Sequence, residues 1–327
     1  MAEMRMIEAV RAAITEEMER DERVLVLGED VGRKGGVFGA TDGLYAKFGE
    51  ARVLDTPLAE SGIVGIAIGA ALNGLIPIAE IQFADFIHPA FDQIVSEAAR
   101  TRYRSNGDWS VPMVIRAPFG GGVHGGLYHS QSIEAFYAHV PGLKVVVPST
   151  PSDAHGLLKS AVRDPDPVLF LEHKKVYRLV TEKVPDGDHL LPIGPAVVRR
   201  EGTRISCFAW GLMTHFCLQA AADVETEGIS VEVVDLRTLA PLDRDTILGS
   251  VQKTSKAMVV HEDNLTGGFG AEVAATIAQH AFDSLDGPVV RVAAPDVPAM
   301  PFNSPQEEFF MPSPEKIAAA MRSLAAY

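Results

Sequence analysis

Residues 56–83, TPLAESGIVGIAIGAALNGLIPIAEIQF, predict a buried helix followed by a buried strand. Glu60 is the only charged residue between Thr56 and Leu72, and glycine, alanine and isoleucine make up most of the residues that follow it. So apolar a run is typical of a helix that is buried on most sides. The β-branched stretch LIPIAEIQF then indicates a strand buried on both faces, as in a parallel sheet. A helix that leads into such a strand is the repeating unit of an α/β fold.

The same alternation continues along the chain in two series. In the first, strand-like RVLVLGE, VPMVIRAPF, LKVVVPS and PVLFLE are separated by helical patterns such as HPAFDQIVSEAARTRYR and SDAHGLLKSAVRD. A polar, proline-bearing stretch, Val176–Pro195, is interpreted as a linker. The second series contains RISCFAWG, ISVEVVDLR, KAMVVHED and PVVRVAA. We expect two open, doubly wound α/β domains, at residues 1–185 and 195–327, with ligands at the loops that follow strands.

Composition excludes several classes of protein. A chain of 327 residues with 47% hydrophobic and 22% charged residues is typical of a folded globular protein. Its net charge of -14 argues against nucleic-acid binding and against a polybasic membrane contact. Cys207 and Cys217 do not suffice for a disulfide framework, and we expect reduced core thiols. The acid-rich start and the lack of a membrane-spanning run predict a cytoplasmic protein with protein or small-molecule partners.

The local sequence around Glu60 leaves two interpretations open. In the first, Thr56 caps the helix, Pro57 lies in its first turn, and Glu60 favours the positive end of the helix dipole. In the second, a carboxylate at the mouth of so apolar a helix has a chemical task.

The loop APFGGGVHGGLYHSQS is rich in glycine and ends near a histidine. Gly120, Gly122 and Gly125 satisfy the spacing G-x-G-x-x-G, but a dinucleotide site needs a helix at once and an acidic residue about 20 positions later. We therefore do not expect nucleotide binding by this loop. The glycines indicate close backbone approach or movement. His129 is a candidate for proton transfer near a ligand, and a merely structural or exposed histidine is the alternative.

Two further pairs of side chains have a functional and a structural interpretation. Phe83 and Phe86 follow a predicted strand, so they either stack on a flat heterocycle or belong to the core. Asp164 and Asp166 form a turn, or they help to hold a structural cation with backbone oxygens. The usual motifs of zinc hydrolases, serine hydrolases and P-loop proteins do not occur in the sequence.

Several long motifs, in order, resemble the β subunit of thiamine-diphosphate-dependent 2-oxo acid dehydrogenases. They are VLGEDVGRKGGVFGAT, DTPLAESGIVGIAIGAA, AEIQFADF, GGLYHSQSIEAFYAHVPGLKVVVPSTPSDAHGLL, VEVVDLRTLAPLD and HEDNLTGGFGAE. The similarity covers essentially the whole chain. It implies a transketolase-like fold, with a pyrimidine-binding domain followed by a transketolase C-terminal domain. It also implies an oxidoreductase that decarboxylates a 2-oxo acid and reductively acylates lipoamide.

The resemblance assigns roles to four residues. Glu60 matches the family glutamate that hydrogen-bonds the aminopyrimidine of the cofactor. By sharing a proton with the ring nitrogen, it would favour the imino tautomer that deprotonates the thiazolium carbon. Phe86 matches the aromatic position that packs on the pyrimidine, and Leu58 a position that lines the same cofactor. His129 matches an active-site histidine that faces the substrate and assists transfer to the lipoyl group.

The resemblance also implies metal ions and a partner chain. A potassium ion, held largely by backbone oxygens, would lie at Met113, Ala161, Asp164 and Asp166. Family members that bind the diphosphate and magnesium themselves carry a G-D-G motif, because magnesium needs oxygen ligands and phosphate. No G-D-G occurs here, and the nearest stretch, PDGDH at 185–189, has the wrong order. We therefore expect an α subunit to hold the magnesium and diphosphate end of the site.

By the same resemblance, the chain is expected in an α2β2 heterotetramer within a multienzyme complex. The C-terminal domain would be the docking surface for a lipoyl-bearing acyltransferase. The stretches LYHSQSIEAFYAHVPGLKVV, FLEHKKVYR and HEDNLTGGFGAE look closer to branched-chain members, which act on 2-oxoisovalerate in branched-chain amino acid catabolism. A pyruvate or acetoin dehydrogenase β subunit is the alternative. A nucleotide-binding or scaffold α/β protein without thiamine chemistry is the alternative from another class.

Overall fold

The structure is a computed structural model that describes residues 2–327, and the chain divides into two compact units. Unit 1 contains the residues up to Phe119 together with Phe136–Ile193. Unit 2 contains Gly120–Ala135 and Gly194–Tyr327. The predicted domains, 1–185 and 195–327, differ from this division chiefly at Gly120–Ala135. That segment groups with unit 2 because the carboxylates of Glu262 and Glu307 bind its backbone.

Unit 1 has eight strands among its described residues. They are β1 (Ala2–Arg5), β2 (Val24–Gly28), β3 (Val53–Asp55), β4 (Ile76–Glu80), β5 (Val114–Phe119), β6 (Lys144–Val146), β7 (Val168–His173) and β8 (Thr181–Val184). The helices of this part of the chain are α1 (Met6–Arg20), α2 (Leu44–Phe48), α3 (Glu60–Leu72), α4 (Thr101–Arg104), α5 (Glu134–Ala138), α6 (Pro151–Val162) and α7 (Val176–Leu179).

Six of these strands form one parallel sheet in the order β6-β7-β5-β4-β2-β3. The central strands β4, β5 and β7 are buried along their whole length. Burial on both faces explains why their sequences are mostly apolar rather than alternating, although Glu80, Arg116 and Glu172 lie within them. Because the strands are parallel, their carboxyl ends share one edge of the sheet, where ligands bind in open α/β folds.

Helix α3 begins at Glu60 and packs an apolar side against the sheet. Its buried residues are Ile63, Val64, Ala67, Ile68 and Ala71. The helix stops after Leu72 because Gly74 adopts a φ of +88°, a left-handed conformation that glycine tolerates best.

Unit 2 is built on a second sheet. Its strands are β9 (Val197–Arg200), β10 (Ile205–Ala209), β11 (Val231–Asp235), β12 (Thr238–Ala240), β13 (Ala257–Asn264) and β14 (Val290–Ala294). Five of them pair in the order β14-β13-β10-β11-β9, and β9 runs antiparallel to β11 while the other pairs are parallel. The helices are α8 (Leu212–Glu225), α9 (Arg244–Thr254), α10 (Gly270–His280), α11 (Ser304–Phe310) and α12 (Pro314–Ala325).

The α/β fold class is confirmed, and two local predictions are wrong. The first half of the predicted linker is regular structure, since α7 and β8 lie there and β8 pairs antiparallel with β1. The long helix predicted over residues 88–104 is broken into a 3-10 helix, a π-helix over Gln93–Ala98 and the short α4. Both cysteines are free and buried, as predicted. Within residues 2–327, no helix has the length and hydropathy needed to cross a bilayer.

Candidate active site

The carboxyl edge of the unit 1 sheet carries the predicted cofactor residues. Strand β2 lies between β3 and β4, and the three strands are parallel and end at the same edge. The chain that follows them places Glu29 after β2, Leu58 and Glu60 after β3, and Phe86 after β4. Three of the predicted residues, Leu58, Glu60 and Phe86, therefore lie on one edge of one unit.

Glu60 is the first residue of α3 and is partly buried. Ala59 precedes it at the cap position and offers no side-chain oxygen to the amide groups of the first turn. Thr56, which the sequence suggested as a cap, instead donates its hydroxyl to the carbonyl of Pro57 at 3.0 Å. The Glu60 carboxylate therefore lies at the positive end of the helix dipole without a capping side chain before it.

Glu29 is the acidic neighbour of Glu60. Burial raises the pKa of Glu29, and the negative charges of Asp30 and Glu60 raise it further. The carboxyl edge thus places two carboxyl groups close enough for the charge of one to favour the protonated form of the other.

An aromatic series leads from Phe86 into unit 1. Phe86 lies in the 3-10 helix after β4, and its ring meets the Phe83 ring edge-on, with centroids 5.7 Å apart. Phe38 continues the series at 5.4 Å from Phe83, and Tyr177 lies 5.5 Å from Phe38. Phe83 and Phe86 are partly buried, and the Leu58 side chain on the same edge is 69% exposed. The edge therefore presents aromatic and aliphatic surface beside a carboxylate.

A buried ion network holds the strands beneath this edge. Arg116 of β5 donates to Glu172 of β7 at 2.6 and 2.7 Å, and to Glu80 of β4 at 2.6 Å. Tyr177 donates its hydroxyl to Glu172 at 2.5 Å. Burial would lower the pKa of Arg116, but the two carboxylates raise it above its ordinary value. Arg116 is therefore a fixed cation that joins three central strands, and Tyr177 links it to the aromatic series.

The glycine segment, Gly120–Ala135, is held at its start by a carboxylate of unit 2. Glu262 of β13 accepts the amide N–H of Gly121 at 2.5 Å and the hydroxyl of Ser132 at 3.3 Å. Gly120 also donates its amide to the carbonyl of Gln131 at 3.0 Å, which closes the segment on itself.

A second carboxylate binds the middle of the glycine segment. Glu307 of α11 accepts the amide N–H groups of Gly122 and His124 at 2.9 and 3.2 Å. The Nδ1 atom of His124 lies 2.5 Å from the same carboxyl group. His124 has a φ of +56°, a strained conformation for a residue with a side chain. Two buried carboxylates thus fix a backbone that its glycines alone would leave free.

His129 follows a three-residue 3-10 helix in this segment and is partly buried. Its neighbours Leu127 and Tyr128 are exposed, whereas Ser130 is fully buried. Since no longer helix opens here, the segment lacks the helix terminus that a dinucleotide pyrophosphate requires.

Buried acids lie under the end of the glycine segment. Glu134 accepts the indole N–H of Trp210 at 3.0 Å. Burial raises the pKa of Glu134 to about 8, with further contributions from the charges of Asp263 and Glu262. Asp263 shows the same behaviour, because burial raises its pKa to about 6.

His261 is buried behind Trp210. The two rings are nearly parallel, with centroids 5.6 Å apart. Burial lowers the pKa of His261 to about 4, and the charge of Arg291 lowers it as well. Side chains at Gly268 or Gly270 would clash with this ring, at 2.5 and 2.3 Å. His261 is therefore a neutral packing residue at physiological pH.

The residues predicted to hold potassium lie at the opposite, amino edge of the unit 1 sheet. Met113 precedes β5, and its carbonyl accepts the amide of Val168 at 3.0 Å. Lys144 donates to both carboxyl oxygens of Asp164 at 2.6 Å and lies 3.7 Å from Asp166.

The two carboxylates of this amino edge that were predicted near potassium, Asp164 and Asp166, both form ion pairs with basic side chains. Arg102 forms a second ion pair with Asp166. The carbonyl of Ala161 accepts the amide groups of Arg163 and Asp164. A cavity of about 670 Å³ opens beside Asp164 and Trp109. Among residues 2–327, no group of three or more His, Cys, Asp and Glu side chains is arranged to hold a metal ion.

Sequence reasoning missed several residues of these sites, among them Glu29, Glu134, Trp210, Glu262 and Glu307. Glu29 follows β2 directly, and an acid just after a strand could have been found from the rule that ligands bind at carboxyl ends. Glu134 and Trp210 lie 76 positions apart in the chain, so no local pattern connects them.

Comparison with known families matches both halves of the chain. The model of the transketolase pyrimidine binding domain matches residues 2–180, and that of the transketolase C-terminal domain matches residues 194–317. A solved structure described as a split-gene transketolase, an inactive β4 tetramer, superposes with a TM-score of 0.80 at 26% identity. It covers 99% of this chain and 98% of its own. The two-domain transketolase-like fold is therefore confirmed.

Curated relatives extend the match over the full length. The 2-oxoisovalerate dehydrogenase subunit beta of Bacillus subtilis is 60% identical over 327 residues, which is 100% of both chains. The pyruvate dehydrogenase E1 component subunit beta of the same organism is 51% identical over 99% of both chains. The 2-oxoisovalerate dehydrogenase subunit beta 2, mitochondrial, of Arabidopsis thaliana is 50% identical over 99% of this chain and 90% of its own. The chain belongs to the β subunits of the 2-oxo acid dehydrogenases, the thiamine-diphosphate-dependent oxidoreductase components of transketolase-like fold.

Proposed function

We propose that the chain is the β subunit of the decarboxylating component of a branched-chain 2-oxo acid dehydrogenase complex. Its substrates would be 2-oxo acids such as 2-oxoisovalerate, and lipoamide would accept the acyl group. The observation that carries this proposal is the 60% identity over the full length to a protein named for 2-oxoisovalerate. The 51% identity to a pyruvate dehydrogenase β subunit supports pyruvate as the second candidate substrate.

The carboxyl edge of unit 1 fits the pyrimidine end of thiamine diphosphate by its chemistry. A flat aminopyrimidine needs apolar surface for its faces and an acceptor for a proton on its ring nitrogen. Phe86 and the exposed Leu58 supply the first, and Glu60 supplies the second. When bound, the cofactor supplies the acidic thiazolium carbon and the electron sink for decarboxylation.

Glu60 would hold a proton between its carboxylate and the pyrimidine nitrogen. Its place in the first turn of α3 puts the carboxyl group at the positive end of the helix dipole. The apolar helix behind it strengthens a hydrogen bond to the ring and disfavours an unpaired charge. Both interpretations of the sequence are then compatible, because the same carboxylate can favour the helix end and serve the cofactor.

His129 would face the substrate and hold or move a proton during acyl transfer. The carboxylates Glu262 and Glu307 support this role, because they fix the glycine segment that carries His129. An imidazole can both donate and accept a proton, and histidine is the most frequent side chain in such a task.

The remaining expectations concern ions, partners and location. Family β subunits work with an α subunit, and we propose an α2β2 heterotetramer whose α chain holds magnesium and the diphosphate. A lipoyl-bearing acyltransferase would dock on the C-terminal domain, and the domains would span residues 1–185 and 195–327. We expect potassium at Met113, Ala161, Asp164 and Asp166. It would share the carboxylates of Asp164 and Asp166 with Lys144 and Arg102, and the carbonyl oxygens of Met113 and Ala161 with backbone amides. The cytoplasm stays the predicted location.

The experiment is turnover by the chain reconstituted with its α subunit. Glu60→Gln should reduce thiamine-dependent turnover by about 100-fold, since one positioned proton-transfer group contributes at least that much. Glu315→Gln is the matched control, because Glu315 also lies in the first turn of a helix. If Glu60 only stabilises its helix, the two variants should behave alike, and full activity of Glu60→Gln would contradict its assignment.

Substrate choice is tested by comparing kcat/KM for 2-oxoisovalerate and pyruvate with the same complex. We expect a preference for 2-oxoisovalerate. A strong preference for pyruvate would overturn the branched-chain assignment while leaving the family and the role of Glu60 intact.

A further inference from the structure

Glu134 lies where the glycine segment passes into α5, and it is fully buried. One carboxyl oxygen accepts the indole N–H of Trp210 at 3.0 Å. The other oxygen, Oε2, has no hydrogen-bond partner in the part of the chain that the structure describes. The backbone amide of Glu134 itself is a second neutral donor. An ionised carboxylate needs donors at both oxygens, so Oε2 without a donor disfavours the charged form at this buried position.

The charges that face Glu134 are of the same sign. Asp263 and Glu262, both on β13, act on it electrostatically. Trp210 offers a neutral donor, and the ring behind it, His261, is uncharged near pH 7. Glu307 of α11 brings a further carboxylate to the same segment. Two carboxylates close to a buried third favour its protonated form.

The raised pKa of Glu134 makes the stability of the folded state depend on pH. Burial is the largest cause that raises the pKa of Glu134, to about 8, and Asp263 and Glu262 add to it. The folded state therefore binds a proton that the unfolded chain has released above its ordinary pKa. As the pH rises from the ordinary pKa towards the folded pKa, the folded state loses stability, because the unfolded chain releases this proton while the folded chain keeps it. Above the folded pKa, a charge forms in an apolar, anionic pocket.

We propose that protonated Glu134 is the positioning residue of the glycine segment, and that its ionisation loosens the segment and displaces His129. Glu134 lies five positions after His129 in the same segment. Glu262 binds the segment at Gly121, before His129, and at Ser132, after it. The negative charge of Glu262 also acts on Glu134. A negative charge at Glu134 thus repels the carboxylate that holds the segment. The effect on catalysis rests on the role proposed for His129, whereas the protonation of Glu134 does not.

Trp210 provides a direct spectroscopic readout in the full chain. The sequence contains two tryptophans, and Trp109 lies in unit 1. In a Trp109→Phe background, 5-fluorotryptophan labelling leaves one ¹⁹F resonance, from Trp210, which donates to Glu134. We expect this resonance to titrate with a midpoint near pH 8 and to stay constant in Glu134→Gln, since an amide cannot ionise.

Two further variants keep the test decisive if Glu134→Gln folds poorly. Asp263→Asn should move the midpoint to lower pH, because it removes the larger of the two charges that oppose ionisation. Glu308→Gln, an exposed neighbour of Glu307, is the matched control and should leave the curve unchanged. A Trp210 signal that does not titrate, or that titrates equally in Glu134→Gln, would refute the protonated state.

Activity of the complex with the α subunit tests the positioning role. Glu134→Ala should lower kcat at pH 7 by about tenfold, and Glu134→Gln should restore it and move the alkaline fall in kcat to higher pH. An unchanged alkaline limb in Glu134→Gln, with a normal Trp210 titration in the parent chain, would overturn the positioning role. Full activity of His129→Ala, with that titration intact, would instead overturn the function proposed for His129.

Discussion

Replacing Arg116 with methionine is expected to destabilise unit 1 strongly. The variant removes three charge-assisted hydrogen bonds and leaves Glu80 and Glu172 buried without their cation. Both carboxylates are nearly or fully inaccessible, at 4% and 0% exposure, so water cannot replace the guanidinium. Removal of one partner from a buried ion network lowers the free energy of unfolding by roughly 3 to 5 kcal/mol. This loss is smaller than the sum of three independent charge-assisted hydrogen bonds.

The expected loss is measurable as a shift in the unfolding midpoint. For a unit of this size, each kcal/mol corresponds to about 2 to 4 °C, so the thermal midpoint should fall by roughly 6 to 20 °C. Circular dichroism of the full chain, followed through the transition of unit 1, gives this value. Adding Glu80→Gln to the variant should recover part of the loss, because it removes one of the stranded charges.

Arg322→Met is the matched control for this experiment. Arg322 makes a bidentate pair with Glu227, but both side chains are about half exposed. Such a pair is well screened by solvent, and its removal should leave the midpoint almost unchanged. A midpoint for Arg116→Met close to that of Arg322→Met, or no recovery with Glu80→Gln, would refute the idea that a buried cation holds the three strands.

Three smaller perturbations follow from the backbone and from burial. Gly142→Ala should cost more than about 1 kcal/mol in urea unfolding, because Gly142 has a φ of +94° and a Cβ would lie 2.1 Å from the Ala99 carbonyl oxygen; an unchanged urea midpoint would contradict this. Ser313→Ala should cost about 1 kcal/mol, since the Ser313 hydroxyl accepts the Lys316 amide at the start of α12, and Ser313→Asn should recover it. His261→Gln should weaken the fall in stability between pH 6.5 and 4, because the unfolded chain protonates this histidine before the folded chain does; an acid transition identical to that of the parent would count against a buried neutral imidazole.

The sequence predicted the buried parallel strands well because their signal is local. Runs such as VPMVIRAPF and PVLFLE are apolar except for Arg116 and Glu172, and β5 and most of β7 lie within them. The short edge strands were not predicted, since β1 and β8 consist of mixed polar residues. Ala2 lies opposite Val184, so each of these two strands pairs with a strand that is about 180 positions away in the sequence. The broken helix over residues 88–104 has a regular apolar pattern, and its irregular turns arise from tertiary packing that no propensity contains.

The candidate site was predictable to different degrees. Phe86 follows a predicted strand, whereas Leu58 and Glu60 follow β3, which the sequence analysis did not predict; resemblance to a family identified all three, and the structure brings them to one edge. His129 was identified in the same way, but the carboxylates that hold its segment come from residues 262 and 307. Glu262 and Glu307 carry no local signature, because an acid that accepts backbone amides looks like any other acid in the sequence. Asp164 and Asp166 were expected near a cation, and the structure pairs them with Lys144 and Arg102.

The long sequence separation between the glycine segment and Glu307 has a consequence for biosynthesis. Gly122 and Glu307 are 185 positions apart, and Glu307 belongs to α11. At ordinary translation rates of about 5 to 20 residues per second, the ribosome needs roughly ten to forty seconds to travel from the segment to Glu307. During that interval the nascent chain carries five glycines and His129 without the carboxylate that will order them. The contacts of Glu307 with the segment around His129 therefore form only after those 185 further residues are made, however early unit 1 folds.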